Sequence, residues 1–273
     1  MVDVDEEPEP TTEVGKRWRE QLLAWAIPEQ ILEQAPRSPW GHHAATFAVA
    51  DDLDKHVLSA ETARAVLPPE GGSVLDIGCG GGRAALSLVP PAEKVIGVDE
   101  SPAMLAAFTQ AAAEAGVRSM TIQGRWPDVA LDAPVADVVT CHHVAYNVAN
   151  IEPFIMSLTA HARLAVVLVL PVAHPTSCWN PAWEHFWGLV RPTGPTSDDF
   201  VAVLDELGIA SERWEMSRPE HSQGDRDPAM RARRAAQMLC LADDRVDEVE
   251  AYLDEHEPPW VETHTVLRWP GEV

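Results

Sequence analysis

The chain has 273 residues, 46% of them hydrophobic, so it is long and apolar enough to bury a sizeable core. Its 43 acidic and 20 basic residues give a formal charge of −23. Such a surface repels phosphates on average, which argues against a nucleic-acid partner. No apolar run approaches the roughly 18 residues that predict a membrane span. The acidic, proline-bearing N-terminus is unlike a secretory signal, so we expect a cytoplasmic protein that does not act at a membrane.

The N-terminal quarter predicts a disordered acidic tail over residues 1–13 and a helical cap over residues 14–70. Apolar residues recur at helical spacing from Val14 to Glu33, which predicts one amphipathic helix there. A proline-rich break at residues 36–41 follows. A second helix is then predicted from Phe47 to Leu67, before two prolines and two glycines.

From residue 71 onward, short apolar strands alternate with helices. Continuous apolar strands between helices are typical of a parallel sheet that is covered on both faces. The predicted strands are Ser73–Ile77, Lys94–Val98, Met120–Gln123, Ala136–Cys141, Ala165–Leu170, Ile209–Met216 and Val261–Arg268. The predicted helices run from the glycine turn to Val89, then over Pro102–Ala115, Glu152–Ala162 and Ser197–Leu207, and one or two charged helices are predicted over Asp227–Glu255.

This pattern predicts a doubly wound α/β fold with a mostly parallel seven-stranded sheet, whose last strand is antiparallel. Residues 71–216 form its core, residues 217–258 a helical insertion, and residues 259–273 the final strand. Ser197 is the expected cap of its helix, because two aspartates in the first turn favour the helix dipole. Since no cysteine pair has CxxC spacing, we expect free thiols at Cys79, Cys141, Cys178 and Cys240.

A glycine-rich loop, Gly78-Cys79-Gly80-Gly81-Gly82, follows the first predicted strand. A doubly wound sheet binds nucleoside ligands at this place. An NAD site would need GxGxxG, but Arg83 stands where the last glycine would be, and Asp76 would be unhelpful beside a pyrophosphate. S-adenosylmethionine (SAM) has no phosphate and carries an ammonium group, so an acid before the loop fits it.

A second acid, Asp99, ends the next predicted strand, 21 residues after Gly78. A carboxylate there can accept hydrogen bonds from both hydroxyls of an unphosphorylated ribose. A glycine loop with Asp76 before it and Asp99 at the end of the next strand is a more specific pattern than a glycine loop alone.

These stretches resemble the class I SAM-dependent methyltransferases. Asp76-x-Gly78-x-Gly80 is similar to their first motif, and residues 98–105, Val-Asp-Glu-Ser-Pro-Ala-Met-Leu, are similar to their second. The resemblance covers residues 60–215 and the final strand. It implies a Rossmann-like fold and methyl transfer from SAM, with S-adenosylhomocysteine (SAH) as product.

The resemblance also implies roles for single residues: the glycine loop passes the methionine part of SAM, Asp99 binds the ribose, and Met104 packs on the adenine. The third motif departs from the common Gly-Asp, so either Asp128 or Trp126 with a backbone group meets the adenine. The implied cofactor-binding residues are Asp76, Gly78, Cys79, Gly80, Asp99, Glu100, Met104, Arg125, Trp126, Asp128 and His142. The stretch from Gly124 to Phe186 also resembles a group of actinobacterial methyltransferases.

Histidines gather where such a fold places its active site. His142 and His143 end the fourth strand, His174 follows the fifth, and His42 and His43 lie in the predicted cap. One could be a general base, since an imidazole with an ordinary pKa near 6.5 suits that task. Several could bind a metal, or all could only pack and hydrogen-bond. Adjacent histidines in a strand point to opposite sides, so we name no metal ligand and take His143 and His174 as candidate bases.

Trp179, Trp183 and Trp187 recur four residues apart, so on a helix they form one stripe. The stripe either packs on the core or forms a lid over the acceptor. The expected acceptor-site residues are Trp40, His42, His43, Tyr146, Asn147, Trp179 and Trp183.

The sequence therefore predicts an enzyme, monomeric or homodimeric, that transfers the methyl group of SAM to an oxygen, nitrogen or carbon of a small molecule. Two alternatives stay open: a non-catalytic SAM-binding sensor or scaffold, and a nicotinamide-dependent oxidoreductase.

Overall fold

A computed structural model describes residues 9–39, 57–217, 227–261 and 263–272. Within these residues, seven strands form one sheet: β1 (Gly72–Ile77), β2 (Ala92–Asp99), β3 (Arg118–Gln123), β4 (Ala136–His142), β5 (Ala162–Pro171), β6 (Glu212–Ser217) and β7 (Thr263–Pro270). Their order is β3-β2-β1-β4-β5-β7-β6. Strands β1 to β5 pair in parallel, and β7 runs antiparallel to β5 and to β6. The predicted mostly parallel sheet with an antiparallel last strand is confirmed.

The strand order places the functional end of the sheet. From β1 the chain moves outward to β2 and β3, and it then returns to the other side of β1 to add β4 and β5. Loops that leave the carboxyl ends of β1 and β4 therefore diverge, and this opens a crevice at which doubly wound folds bind ligands.

The helices are α1 (Glu13–Leu23), α2 (Glu29–Leu32), α3 (Leu58–Arg64), α4 (Arg83–Leu86), α5 (Pro102–Glu114), α6 (Ile151–Ala160), α7 (Asn180–Trp187), α8 (Ser197–Glu206), α9 (Pro228–Met238) and α10 (Val246–Glu255). The single helix predicted from Val14 to Glu33 is wrong, because α1 ends at Leu23 and α2 begins after Pro28. Proline has no N–H to donate and clashes inside a helix, so the chain restarts at this position. The helix predicted over 47–67 is described only from residue 57.

The cap of α8 differs from the sequence prediction by one residue. Thr196, and not Ser197, is the cap: its Oγ1 accepts from the N–H of Asp199, whose carboxylate accepts from the Thr196 N–H at 2.9 Å. This reciprocal pair is a capping box. Ser197 is the first helical residue, and its side chain is buried against Thr265 of β7.

Two helical layers cover the sheet. Helices α1, α6 and α8 pack on one face, and α3, α4 and α5 pack on the other. A third apolar cluster, which we call the cap cluster, unites Ile27 and Ile31 with residues of α7, α9 and α10. The predicted cap over residues 14–70 thus divides in the structure, since α1 and α3 join the layers on the sheet. All four cysteines are free thiols, as predicted. None of the helices described has the length and apolarity to cross a bilayer.

Candidate active site

The glycine loop turns sharply between β1 and α4. Gly78, Gly80 and Gly82 have φ values of 65°, 50° and 95°, a region that favours glycine. The N–H groups of Gly78 and Cys79 donate to the carbonyl of Val98 at 2.9 and 3.0 Å. These bonds hold the loop against the end of β2, so the loop lies beside the second predicted motif.

Gly78 is the glycine of the loop that faces outward. A Cβ atom at this residue would lie 2.3 Å from Cγ2 of Val144, which follows β4. The position is exposed, so the backbone itself forms the surface between β1 and β4. A ligand can therefore approach the main chain closely at this point.

Asp99 lies at the end of β2 and is half-buried. Its Oδ2 accepts from the N–H of Gly80 at 2.9 Å, and its Oδ1 accepts from the N–H of Ser101 at 2.9 Å. An ionised carboxylate has about four lone-pair sites, so two bonds leave capacity for two ribose hydroxyls. The N–H of Gly124, which follows β3, donates to the Asp99 carbonyl at 3.1 Å. The ends of β1, β2 and β3 thus meet at this residue.

The position of Asp76 differs from that expected for a residue that contacts the cofactor. It is 1% exposed, and its carboxylate accepts from the Thr140 hydroxyl at 2.8 Å and from the Ala85 N–H at 3.3 Å. Burial raises the pKa of Asp76 to about 7, although both hydrogen bonds oppose that rise. Asp76 therefore joins β1, β4 and α4 from inside the protein and does not face a ligand directly.

The residues expected around the adenine are spread over different environments. Trp126 is 4% exposed and lies edge-on to His161, with ring centroids 4.8 Å apart. Its indole is thus part of the core, so stacking on an adenine is disfavoured. Asp128 and Glu100 are exposed, Met104 and Arg125 are half-buried, and Cys79 is buried. The exposed Asp128 is free of the core, so its contact with the adenine stays a prediction.

The histidines at the end of β4 fall into a cluster that the sequence did not predict. His143 is exposed, has a left-handed φ of 62°, and lies edge-on to His264 of β7 with ring centroids 5.1 Å apart. The ring centroids of His142 and His143 are 6.4 Å apart. Burial lowers the pKa of His142 to about 4. Among the described residues, no group of three or more His, Cys, Asp or Glu side chains is arranged to hold a metal ion.

His174 occupies a more enclosed position than His143. It is 8% exposed, it stacks on Trp25 at 3.9 Å, and its Nδ1 bonds the Thr176 hydroxyl at 2.9 Å. Burial, and then the charge of Arg191, lower the pKa of His174 to about 3. Such an imidazole is a poor proton acceptor at neutral pH, so the structure favours His143 of the two candidate bases.

The expected acceptor-site residues are only partly brought together. Tyr146 is buried, stacks on Trp18 at 5.7 Å, and donates its hydroxyl to the Pro171 carbonyl at 2.9 Å. Asn147 is exposed. Trp179 and Trp183 belong to the cap cluster. Trp40, His42 and His43 lie outside the described residues.

Sequence reasoning missed three residues beside this site: His264, Trp25 and Arg191. Trp25 reaches His174 from residues 9–39, which we call the N-terminal arm, and its indole N–H donates to the Gly194 carbonyl at 2.7 Å. Arg191 lies in the loop after α7, with no motif around it. The alternation of polar and apolar residues over 261–268 predicts a strand that contains His264. It does not predict that this strand lies beside His143.

The sheet and its loops match known proteins. Residues 74–163 match the family model of the methyltransferase domain. The ubiquinone biosynthesis O-methyltransferase of Azorhizobium caulinodans is 35% identical over 186 residues, which cover 62% of this chain and 68% of that protein. The chain is a class I SAM-dependent methyltransferase. The nicotinamide alternative is thereby excluded, while the resemblance to an actinobacterial group stays a prediction.

The methyltransferase also shares its fold with solved structures. The YcgJ protein of Bacillus subtilis has a TM-score of 0.54 at 16% identity, covering 79% of this chain and 98% of that one. A structure from Bacillus halodurans has a TM-score of 0.52 at 15% identity, covering 82% and 100%. The exposed Gly78 backbone and the lone pairs left on Asp99 fit SAM, whose ribose and methionine parts need these two kinds of contact.

Proposed function

We propose that this methyltransferase acts on a small molecule that is bound between the carboxyl ends of β4 and β5 and the cap cluster. The acceptor atom is an oxygen, nitrogen or carbon, and His143 is the general base when that atom arrives protonated. One observation carries the proposal: the exposed His143 directly precedes Val144, the residue that packs on Gly78 of the glycine loop. A base and the backbone beside the cofactor therefore lie next to each other.

SAM would supply a methyl group on a positively charged sulfur. An in-line nucleophile would attack the methyl carbon, and the carbon–sulfur bond would break to release SAH. The protein's part is first to hold the two reactants. Asp99 takes the ribose hydroxyls, and the backbone from Gly78 to Gly82 borders the methionine part. Correct positioning supplies much of the rate of such a displacement.

His143 would accept the proton that the acceptor loses as its new bond to the methyl carbon forms. The left-handed backbone at His143 turns the side chain out of the line of β4. Residues held in this region cluster at functional sites. The ring of His264 stands against His143 and limits its rotation. The proton would thus pass to an imidazole nitrogen of His143.

The charge and the relatives support a small-molecule acceptor. A formal charge of −23 opposes polyanionic substrates. The Azorhizobium relative is named for O-methylation in ubiquinone biosynthesis, so oxygen nucleophiles are the first acceptors to test.

The test is transfer of a labelled methyl group from SAM to metabolites of a cell extract. Wild type is compared with His143→Asn and with His256→Asn, a matched change at an exposed histidine that directly follows α10. We expect labelled small molecules, and a kcat lower by about 100-fold or more in His143→Asn, as for a lost general base. The affinity for SAH should stay unchanged in both variants.

Two results would contradict this proposal. SAH binding without any labelled product rules out the small-molecule enzyme, and label in macromolecules alone does the same. An unchanged kcat in His143→Asn rules out the base but leaves the acceptor class standing.

A further inference from the structure

We infer that Arg191 binds a carboxylate, and, on the proposed function above, that this carboxylate belongs to the methyl acceptor. Arg191 is 7% exposed and lies between two indoles. Its Cζ is 5.3 Å from the ring centroid of Trp25 and 5.1 Å from that of Trp183. The guanidinium is therefore held between the N-terminal arm and the cap cluster.

The hydrogen bonds of Arg191 leave most of its donors unused. Nη1 donates to the Ala26 carbonyl at 3.2 Å, and Nη2 donates to the Trp25 carbonyl. Nε has no partner among the residues that the structure describes. Since a guanidinium has five N–H donors, its remaining fork can take a planar, bidentate anion.

No carboxylate of the described residues forms an ion pair with Arg191, although the chain has 43 acids and only 20 bases. A buried charge without a counter-charge costs free energy, and burial lowers the pKa of Arg191. A ligand carboxylate would supply a counter-charge that the described residues do not place beside Arg191. Carboxylates match the guanidinium fork best.

The surroundings of Arg191 suit a carboxylate attached to a flat, apolar body. The cleft over it is lined by Ile27, Pro39, Thr176, Trp179, Trp183 and Met238. The empty space between these side chains is about 270 Å³, including the part that is open to solvent. Met238, one of the lining residues, is half-buried, and its unbranched side chain can adapt to a ligand.

Arg191 lies on the acceptor side of the molecule. Trp25 stacks on His174 with ring centroids 3.9 Å apart, and His174 lies edge-on to Tyr146 with ring centroids 5.4 Å apart. His174 and Tyr146 follow β5 and β4, whereas Gly78 follows β1 and Asp99 ends β2. A carboxylate on Arg191 would therefore anchor one end of an acceptor without occupying the place of SAM.

The first experiment measures binding of benzoate and of its neutral isostere benzamide by calorimetry. We expect wild type to bind benzoate at least about tenfold more tightly, as for a charge-assisted fork. Arg191→Met should lose this preference, and Arg191→Lys should keep only part of it. Arg233→Met, the same change at an exposed arginine of α9, should retain it.

Equal binding of the two probes by wild type overturns the carboxylate site, whether or not the variants fold. Retention of the preference in a folded Arg191→Met protein, checked by its unfolding temperature, overturns the role of Arg191.

The second experiment separates the labelled products of the extract assay by anion exchange at neutral pH. We expect labelled products that the anion exchanger retains. Arg191→Met should form them at least about tenfold more slowly, while its affinity for SAH stays the same as that of wild type. Label only in neutral or cationic products overturns the acceptor assignment and leaves the proposed methyl transfer standing. If benzoate is still preferred in that case, the carboxylate belongs to a separate metabolite. No label at all contradicts the proposed function itself.

Discussion

Asp76 and Thr140 stand directly opposite each other in the parallel pair of β1 and β4, and the Thr140 hydroxyl donates to Asp76 Oδ1 at 2.8 Å. The bond lies beneath the glycine loop and is fully buried. A carboxylate in this position pulls the first turn of α4 toward the sheet through the Ala85 N–H. The acid that begins the first motif therefore acts as a brace for the loop.

The raised pKa of Asp76 predicts a pH dependence of stability. The value rises from 3.8 to about 7, chiefly through burial, so between these values the folded protein holds a proton that the unfolded chain has lost. Its contribution to the free energy of unfolding is complete below pH 3.8 and is lost as the pH rises to about 7, by about 1.4 kcal/mol per pH unit. Urea unfolding of wild type and Asp76→Asn from about pH 5 to about pH 8 measures this. A constant difference between the two proteins would contradict it.

Gly78 and Gly116 form a matched pair, with φ values of 65° and 68°. A Cβ on Gly116 meets no atom within 4 Å, whereas on Gly78 it meets Val144 at 2.3 Å. Gly116→Ala should cost about 1–2 kcal/mol of backbone strain and leave SAH binding intact. Gly78→Ala should also displace the loop and lose most SAH affinity by calorimetry. Val144→Ala should restore part of that affinity in the double variant, and no restoration would speak against the clash.

Asp99 is predicted to carry much of the cofactor affinity. Removal of its carboxylate in Asp99→Ala deletes the acceptor for the ribose hydroxyls and also frees the Gly80 and Ser101 N–H groups. We expect the Kd for SAH to rise about 10- to 100-fold, which corresponds to one or two charged hydrogen bonds. Glu114→Ala, at the exposed end of α5, is the control. An unchanged Kd in Asp99→Ala would refute its assigned role.

Glu152 is predicted to anchor the N-terminal arm. It is 5% exposed and accepts four hydrogen bonds, from the N–H and the hydroxyl of Thr11 and of Thr12, at 2.6 to 2.9 Å. Burial alone would raise its pKa, but these bonds outweigh burial and lower it. Glu152→Gln should cost about 1–3 kcal/mol, because its amide N–H₂ faces donors.

The same carboxylate should also contribute to acid sensitivity. With its pKa lowered below 4.5, Glu152 adds stability above that pH, and this part is lost as the pH falls through the folded value. Urea unfolding at several pH values compares Glu152→Gln with Glu13→Gln, a change at an exposed acid of α1 that should affect stability much less. Equal effects of the two changes on stability would contradict the role of Glu152 as an anchor.

The sheet could be predicted because each strand has a strong local pattern. The apolar run in β5 and the βα unit from Gly78 to Asp99 are both contained in short stretches of chain. The break at Pro28 was missed because helical spacing of apolar residues continues across it. The shift of the α8 cap from Ser197 to Thr196 depends on side-chain bonds that composition does not distinguish.

By itself, the sequence determined that the glycine loop at Gly78 and the acid Asp99 lie together, since they are separated by one βα unit whose geometry follows from local periodicity. Only the tertiary structure brought together the residues of the proposed acceptor site. His143 meets His264 through a sheet in which β4 and β7 flank β5, and Arg191 bonds Trp25 across 166 residues. Such contacts depend on how finished elements pack, and local sequence patterns do not encode that packing.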